Sequence, residues 1–325
     1  MTLLLSSFLA LALVQEPAPV QPGAAETAQP HEKFNAGETI IEHVSNPHEH
    51  PLIELPRVGG IDFSVTKHVF MLWFVSAVVF LLITVTVRRY LQQQQLVPSG
   101  FMNGLEAVVE FIRDDIARPN VGRDWVMTWT PLILTFFFFI LLANGIGLIP
   151  LFDMLAVLDR LVLHTSNDSF LNRVIHGGTT ATANYNVTAA LATITFVSII
   201  IAGSKAHGFL KHWKNLVPHG LHPLIYVILI PIEVIGMFVR PFALTMRLAA
   251  NMTGGHIAIL AILSFVFLFT EMFGRAIAGI GVGLIVSVPL AVGISALEII
   301  VVLVQAYVFT LLSAVFIGMA IHVHH

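Results

Sequence analysis

Residues 221–270 and 276–321 form two apolar runs broken by only a few charged side chains. Each is about twice the stretch of roughly 20 residues that crosses a bilayer core about 30 Å thick. Neither run contains a polar loop at which the chain could reverse. Each is therefore read as one long, steeply tilted helix, and the two as an antiparallel hairpin about the charged break at Glu271–Arg275. Gly279, Gly281, Gly283 and Pro289 can bend the second run but do not reverse it. The alternative is that Arg240-Pro241 ends an upright helix over 221–239, leaving Arg240 and Arg247 to snorkel to a surface.

The rest of the chain agrees with a membrane setting. Only 11% of the 325 residues are charged, against 56% hydrophobic, whereas soluble domains carry about 25% charge. A net charge of −3 gives no reason to expect nucleic acid as a partner. There is no cysteine, which excludes disulfides, thiolate metal sites and thiol catalysis.

Residues 1–14 include an apolar run too short to span, ending near Ala10-Leu11-Ala12. They read as a secretory signal, with an interfacial segment as the alternative. Residues 15–67 are polar and rich in Pro, Glu and His, an extracytoplasmic segment, and 68–325 form the membrane domain. A first span over 68–87 stops at Arg88-Arg89, which places that end in the cytoplasm. Leu105, Val108, Val109, Ile112 and Ile116 share one helical face within 102–117, while Glu106, Glu110, Asp114 and Asp115 lie elsewhere on it. That pattern predicts an amphipathic helix on the cytoplasmic interface. A second span begins at Thr130-Pro131, read as N-cap and first helical position, and runs to Pro150. A third covers about 185–204 and returns to the cytoplasm at Lys205, Lys211 and Lys214. The predicted fold is thus an all-α multi-pass membrane protein with three near-upright spans, one amphipathic interfacial helix and a hairpin of two long tilted helices. Its N-terminus is outside and its C-terminus cytoplasmic. No internal repeat is visible.

Few polar groups lie within the two long runs, so their arrangement can be read. Glu233, Arg240 and Arg247 are seven residues apart and form one stripe, with Asn251 a turn further along. His256 lies about 180° around the helix from Arg247 and about 13 Å along it. Glu298 and Gln305 share a face of the other run. A single antiparallel register, turning near 276–277, sets His256 opposite Glu298, Arg247 opposite Gln305, and Arg240 near Ser313. A histidine and a glutamate can each be tuned to titrate near ambient pH, so together they can relay protons. Arginine cannot give up its proton and instead supplies a fixed charge, at a cost of about 3 kcal/mol mid-membrane on insertion scales. Such a charge blocks a cation path and forces a passing carboxylic acid to ionise. More ordinary roles compete: Glu233 and Glu298 as caps or packing groups, Asn251 as interhelical glue, and Gly254-Gly255 as permission for close packing. His31, His43, His48, His50 and the terminal "HVHH" lack acids at ligand spacing and read as solvated loop, so no metal or cofactor is expected.

"RPFALTMRLAANMTGGH" (240–256) resembles the signature of the a subunits of F-type rotary ATP synthases. "NGIGLIP" (144–150), "TANYNVTAALA" (182–192) and "LEIIVVLVQAYVFTLL" (297–312) are similar to three further stretches of that family, and the resemblance covers about 68–322. It implies that Arg247 is the essential charge facing a ring of c subunits, with Gln305 close to it. It also implies that His256 and Glu298 form the proton-pathway pair, exchanged relative to many bacterial members, and that Glu233, Asn251 and Asn186 line the channels. Asn184 stands where many members have Asp, and Ala249-Ala250 replace a bulkier pair. The implied partners are the c-ring, peripheral-stalk b subunits, the soluble ATPase sector and the lipid of a bacterial inner membrane. The rival readings are a proton-coupled secondary transporter, for which paired inverted segments are wanting, and an intramembrane enzyme, for which no nucleophile–base or metal constellation stands out.

Overall fold

The computed structural model describes residues 64–93, 100–148, 181–214, 223–273, 281 and 283–322. The signal-like segment, nearly all of the polar segment, the loop before the third span, the hairpin turn and the last three histidine-rich positions lie outside these. Among the described residues the regular structure is helical, apart from a single bridge at Val65. Five helices among the described residues are long and apolar enough to cross a membrane: His68–Gln92, Val126–Leu148, Tyr185–His207, Ile225–Ile262 and Ile285–Ile321. The protein is an all-α, multi-pass membrane protein. At about 1.5 Å per residue the first three are about 35–38 Å long and fit a core of about 30 Å nearly upright. The last two are about 56 Å long, and fit it only when tilted by about 55–60°.

Helix α1, Lys67–Gln93, continues past Arg88-Arg89 rather than stopping there. Those charges end its burial in lipid, but nothing in the following Tyr-Leu-Gln-Gln breaks a helix. The amphipathic segment comprises α2 (Phe101–Phe111), a π-turn over Ile112–Ala117, and α3 (Arg118–Val121). The widened turn keeps Ile112, Ile116 and Ala117 all buried. On its polar side Arg113 donates to both oxygens of Asp114, at 3.1 and 2.7 Å, and Arg118 pairs with the same acid at 3.1 Å.

Helix α4 spans Val126–Leu148, so it begins a full turn before Thr130-Pro131. Pro131 is tolerated because, this close to the start, its missing N–H deprives a single carbonyl, that of Met127. Thr130 is not the cap; its hydroxyl donates to the Val126 carbonyl at 2.6 Å. Helix α5, Tyr185–His207, follows a 3-10 turn over Ala181–Ala183, and a short α6 covers Phe209–Lys214. Helix α7, Pro223–Phe273, runs unbroken through Pro231 and Pro241, so no upright helix ends at 239. A π-turn over Gly283–Ser287 leads into α8, Val288–Ile321, and lies just ahead of Pro289, where a regular ladder would lack a donor.

The chain divides into two compact units, one formed by 70–145, 180–252 and 300–325, the other by 1–69, 146–179 and 253–299. The first holds the main hydrophobic core, built on Ile112, Ile116, Ile133, Ile140, Leu244, Leu248 and Ile317. Within it, Thr195 and Ser313 share a buried hydrogen bond of 3.2 Å between α5 and α8. The ends of its helices are tied together by histidines. His207 donates from Nε2 to the Ile321 carbonyl at 2.8 Å, and His322 donates to that of Val121 at 3.2 Å. Both carbonyls belong to helix C-termini, which lack partners of their own. Gly318 lies against the Asn120 carbonyl, with no space for a Cβ between them.

At the α5–α6 elbow the buried His212 ring rests on Gly203, where an added Cβ would overlap it. Burial, and then the neighbouring His207, push His212 below its ordinary value of 6.5. The basic groups at these two helix ends are Lys205 and His207 on α5, and Lys211 and Lys214 on α6 itself, of which His207 acts on His212. Because the docked pKa is depressed, docking is strongest above about pH 6.5 and weakens as pH falls below it. Hydrogen exchange of α6 in the intact protein, corrected for intrinsic rates, is expected to quicken on acidification. In His212→Leu that pH dependence is expected to vanish; if it persists, His212 is not its source.

An exposed arginine beside the packed face of α7

The polar stripe of α7 borders its packed face. Met237, Leu244, Leu248, Ala249 and Met252 carry the packing and are buried, whereas Arg247 and Asn251 are exposed and Glu233 and Arg240 half-buried. Arg240 extends over the Phe316 ring, 5.6 Å from its centroid, one turn from the expected Ser313. The neighbours of Arg247 one turn away on the same face are Ala243, Leu244, Ala250 and Asn251, three of them apolar. Among the described residues no ion pair or hydrogen bond involves it; the ion pairs present all centre on Arg113, Asp114 and Arg118.

Glu298 and Gln305 lie on the packed face of α8 and are both buried, as their seven-residue spacing predicts. No hydrogen bond joins Arg247 to Gln305: one faces out, the other in. In the other unit, the Glu298 carboxylate lies against the Cα of Gly255. That contact is within one residue of the antiparallel register expected for His256 and Glu298. The His256 side chain lies outside the described residues, although its backbone is helical.

Two polar contacts escaped sequence reasoning. Asn144, at the end of α4, accepts a short hydrogen bond from the hydroxyl of Thr182, and both are fully buried. The partners come from "NGIGLIP" and "TANYNVTAALA", motifs recognisable singly, but nothing in either states that they meet. Asn184 is the N-cap of α5, its side chain accepting from the Asn186 backbone N–H at 2.8 Å. An amide oxygen serves a cap as well as a carboxylate does, so replacing Asp there leaves the helix start intact. The Asn186 side chain is exposed at that start. Of the Ala249-Ala250 pair, Ala249 is fully buried and Ala250 exposed.

Residues 69–318 match the sequence profile of the family described as ATP synthase A chain. The chain belongs to this family. The matched range contains all seven candidate residues and most of every candidate span. Among similar proteins of the ATP synthase A chain family is "ATP synthase subunit a" of Chlorobium phaeobacteroides, 40% identical over 89% of this chain and 77% of that protein. "ATP synthase subunit a 2" of Chlorobium luteolum is 41% identical over 93% of this chain and 80% of its own length. "ATP synthase subunit a" of Chloroherpeton thalassium is 40% identical, over 86% and 76% respectively.

Proposed function

We propose that the chain is the stationary, proton-conducting subunit of an F-type ATP synthase membrane sector. It is not an enzyme alone. It passes protons through two half-channels to and from carboxylates of a c-ring, and so couples proton flow to ATP synthesis. The observation that carries this reading is Arg247, a permanent cation with no ion pair or hydrogen bond among the described residues, exposed on a long apolar helix. A charge so placed gains its compensation from outside the chain. A carboxylate passing within about 4–6 Å has its pKa lowered by about 1–3 units and releases its proton.

In this reading His256 and Glu298 load protons from the extracytoplasmic side, and Gln305 supports the Arg247 region. Glu233 serves the cytoplasmic half-channel, while Asn251 and Asn186 contribute polar lining. Arg247 separates the two half-channels, because a proton has no means of crossing a fixed positive charge. The partners are c-ring subunits, peripheral-stalk b subunits and, through the complex, the soluble ATPase sector. The setting is a bacterial inner membrane, with the N-terminus outside and the C-terminus cytoplasmic. Neither a metal nor a cofactor is required for these steps. A secondary transporter is not favoured, since it needs no external carboxylate opposite an exposed arginine.

Affinity purification of the tagged chain from its native membranes tests the assignment. A ring of small hairpin subunits and an ATPase are expected to co-purify with it. Recovery of the chain alone, active in substrate uptake after reconstitution, would overturn the assignment.

A further inference from the structure

We infer that Gly255 is a positioning residue, the bare-backbone seat that lets the Glu298 carboxylate lie against α7 beside His256. The inference rests on reading Glu298 as a proton-carrying group. Glu298 is buried, and its side chain crosses directly over the Gly255 Cα. A Cβ at position 255 would collide with Oε1 and come within 2.9 Å of Cδ and 3.2 Å of Cγ. All three atoms belong to the acid, so its side chain must yield. The preceding glycine is the natural contrast: a Cβ on Gly254 meets nothing within 4 Å. The pair therefore does not act as a generic small-residue patch; one glycine is spatially required and the other is not.

The requirement has a chemical meaning. Proton transfer needs donor and acceptor within hydrogen-bond reach, and an error of about 1 Å can cost two orders of magnitude. A methyl group at position 255 displaces the carboxylate by about that distance. Alanine is otherwise the better helix former, so a loss of function in Gly255→Ala does not come from weakening α7.

ATP-driven proton pumping in inverted membrane vesicles, with the assembled complex quantified alongside, tests this. Gly254→Ala is expected to pump close to normally. Gly255→Ala is expected to lose about ten-fold or more. Adding Glu298→Asp, which withdraws the carboxylate by one methylene, is expected to recover part of that loss. Normal pumping by Gly255→Ala, while Glu298→Gln is inactive, would overturn the seat and leave the proton role of Glu298 standing. Normal pumping by Glu298→Gln would overturn that role, and the seat with it. If the double variant recovers nothing, or neither variant assembles, the constraint is one of helix packing and the inference fails. Assembly and pumping by the double variant where Gly255→Ala alone does not assemble would support it.

Discussion

Arg247→Ala is expected to abolish ATP-driven proton pumping while leaving the subunit assembled in its complex. The two halves of that expectation have separate physical grounds. Assembly should survive because Arg247 is exposed, and the packing of α7 is carried by its buried neighbours Leu244, Leu248 and Ala249. Pumping should fail because the substitution removes the charge that makes a passing carboxylate give up its proton. A pair of unit charges about 4 Å apart interacts by about 4 kcal/mol at an effective dielectric of 20. Losing that much selectivity for the ionised form corresponds to nearly a thousand-fold shift in protonation. Membranes holding the variant should also leak protons passively once the ATPase sector is stripped, since the barrier between the half-channels is gone. Arg247→Lys should not fully replace it, because burial can neutralise a lysine but not an arginine. Coupled pumping retained by Arg247→Ala would sink the assignment.

Glu298→Gln is expected to reduce pumping by about a hundred-fold, the lower end of what one positioned acid–base group contributes. Glutamine matches the shape of the buried side chain, so the packed face of α8 should be undisturbed. It cannot take or release a proton, so the effect isolates the chemistry. Combining it with His256→Glu tests the pairing that the hairpin register implies. In the combined variant an acid is restored at the same pair of positions, on the opposite helix. Its pumping should exceed the product of the two single effects by about ten-fold or more, an interaction of at least 1.4 kcal/mol. Simple additivity of the two effects would mean that they do not act together.

What the sequence allowed to be read, and what it did not, follows the range of the interactions. Helical phase was legible. Glu298 and Gln305 do lie on the packed face of α8, whereas of the stripe expected to face that helix Arg240 reaches Phe316 and Arg247 is exposed. The two long helices follow from the absence of any polar reversal point, and α7 runs through Pro241 as that argument required. Boundaries were less legible. Charges at Arg88-Arg89 and the Thr130-Pro131 pair mark where a helix leaves lipid or could begin, and the backbone disregards both marks. The π-turns at 112–117 and 283–287 carry no composition signal, because they arise from packing and from a missing donor downstream. Contacts across helices were the least legible. The expected register puts Arg247 and Gln305 at matching heights, but matching height does not decide which way each side chain faces. Asn144 with Thr182, and His322 with Val121, join segments whose partners no local pattern names.

The close approach of Gly318 to Asn120 has a mechanical side. Where two helices touch through interlocked side chains, rotamer hops let them slide by fractions of an ångström under load. Here one backbone bears on another, with no rotatable group between them. The histidine hydrogen bonds at Ile321 and Val121 close the same junction on either side. A sideways drag on α8 would therefore meet a hard stop at this end. Elastic give would be confined to the far end of the helix, where the π-turn over Gly283–Ser287 interrupts the regular backbone ladder.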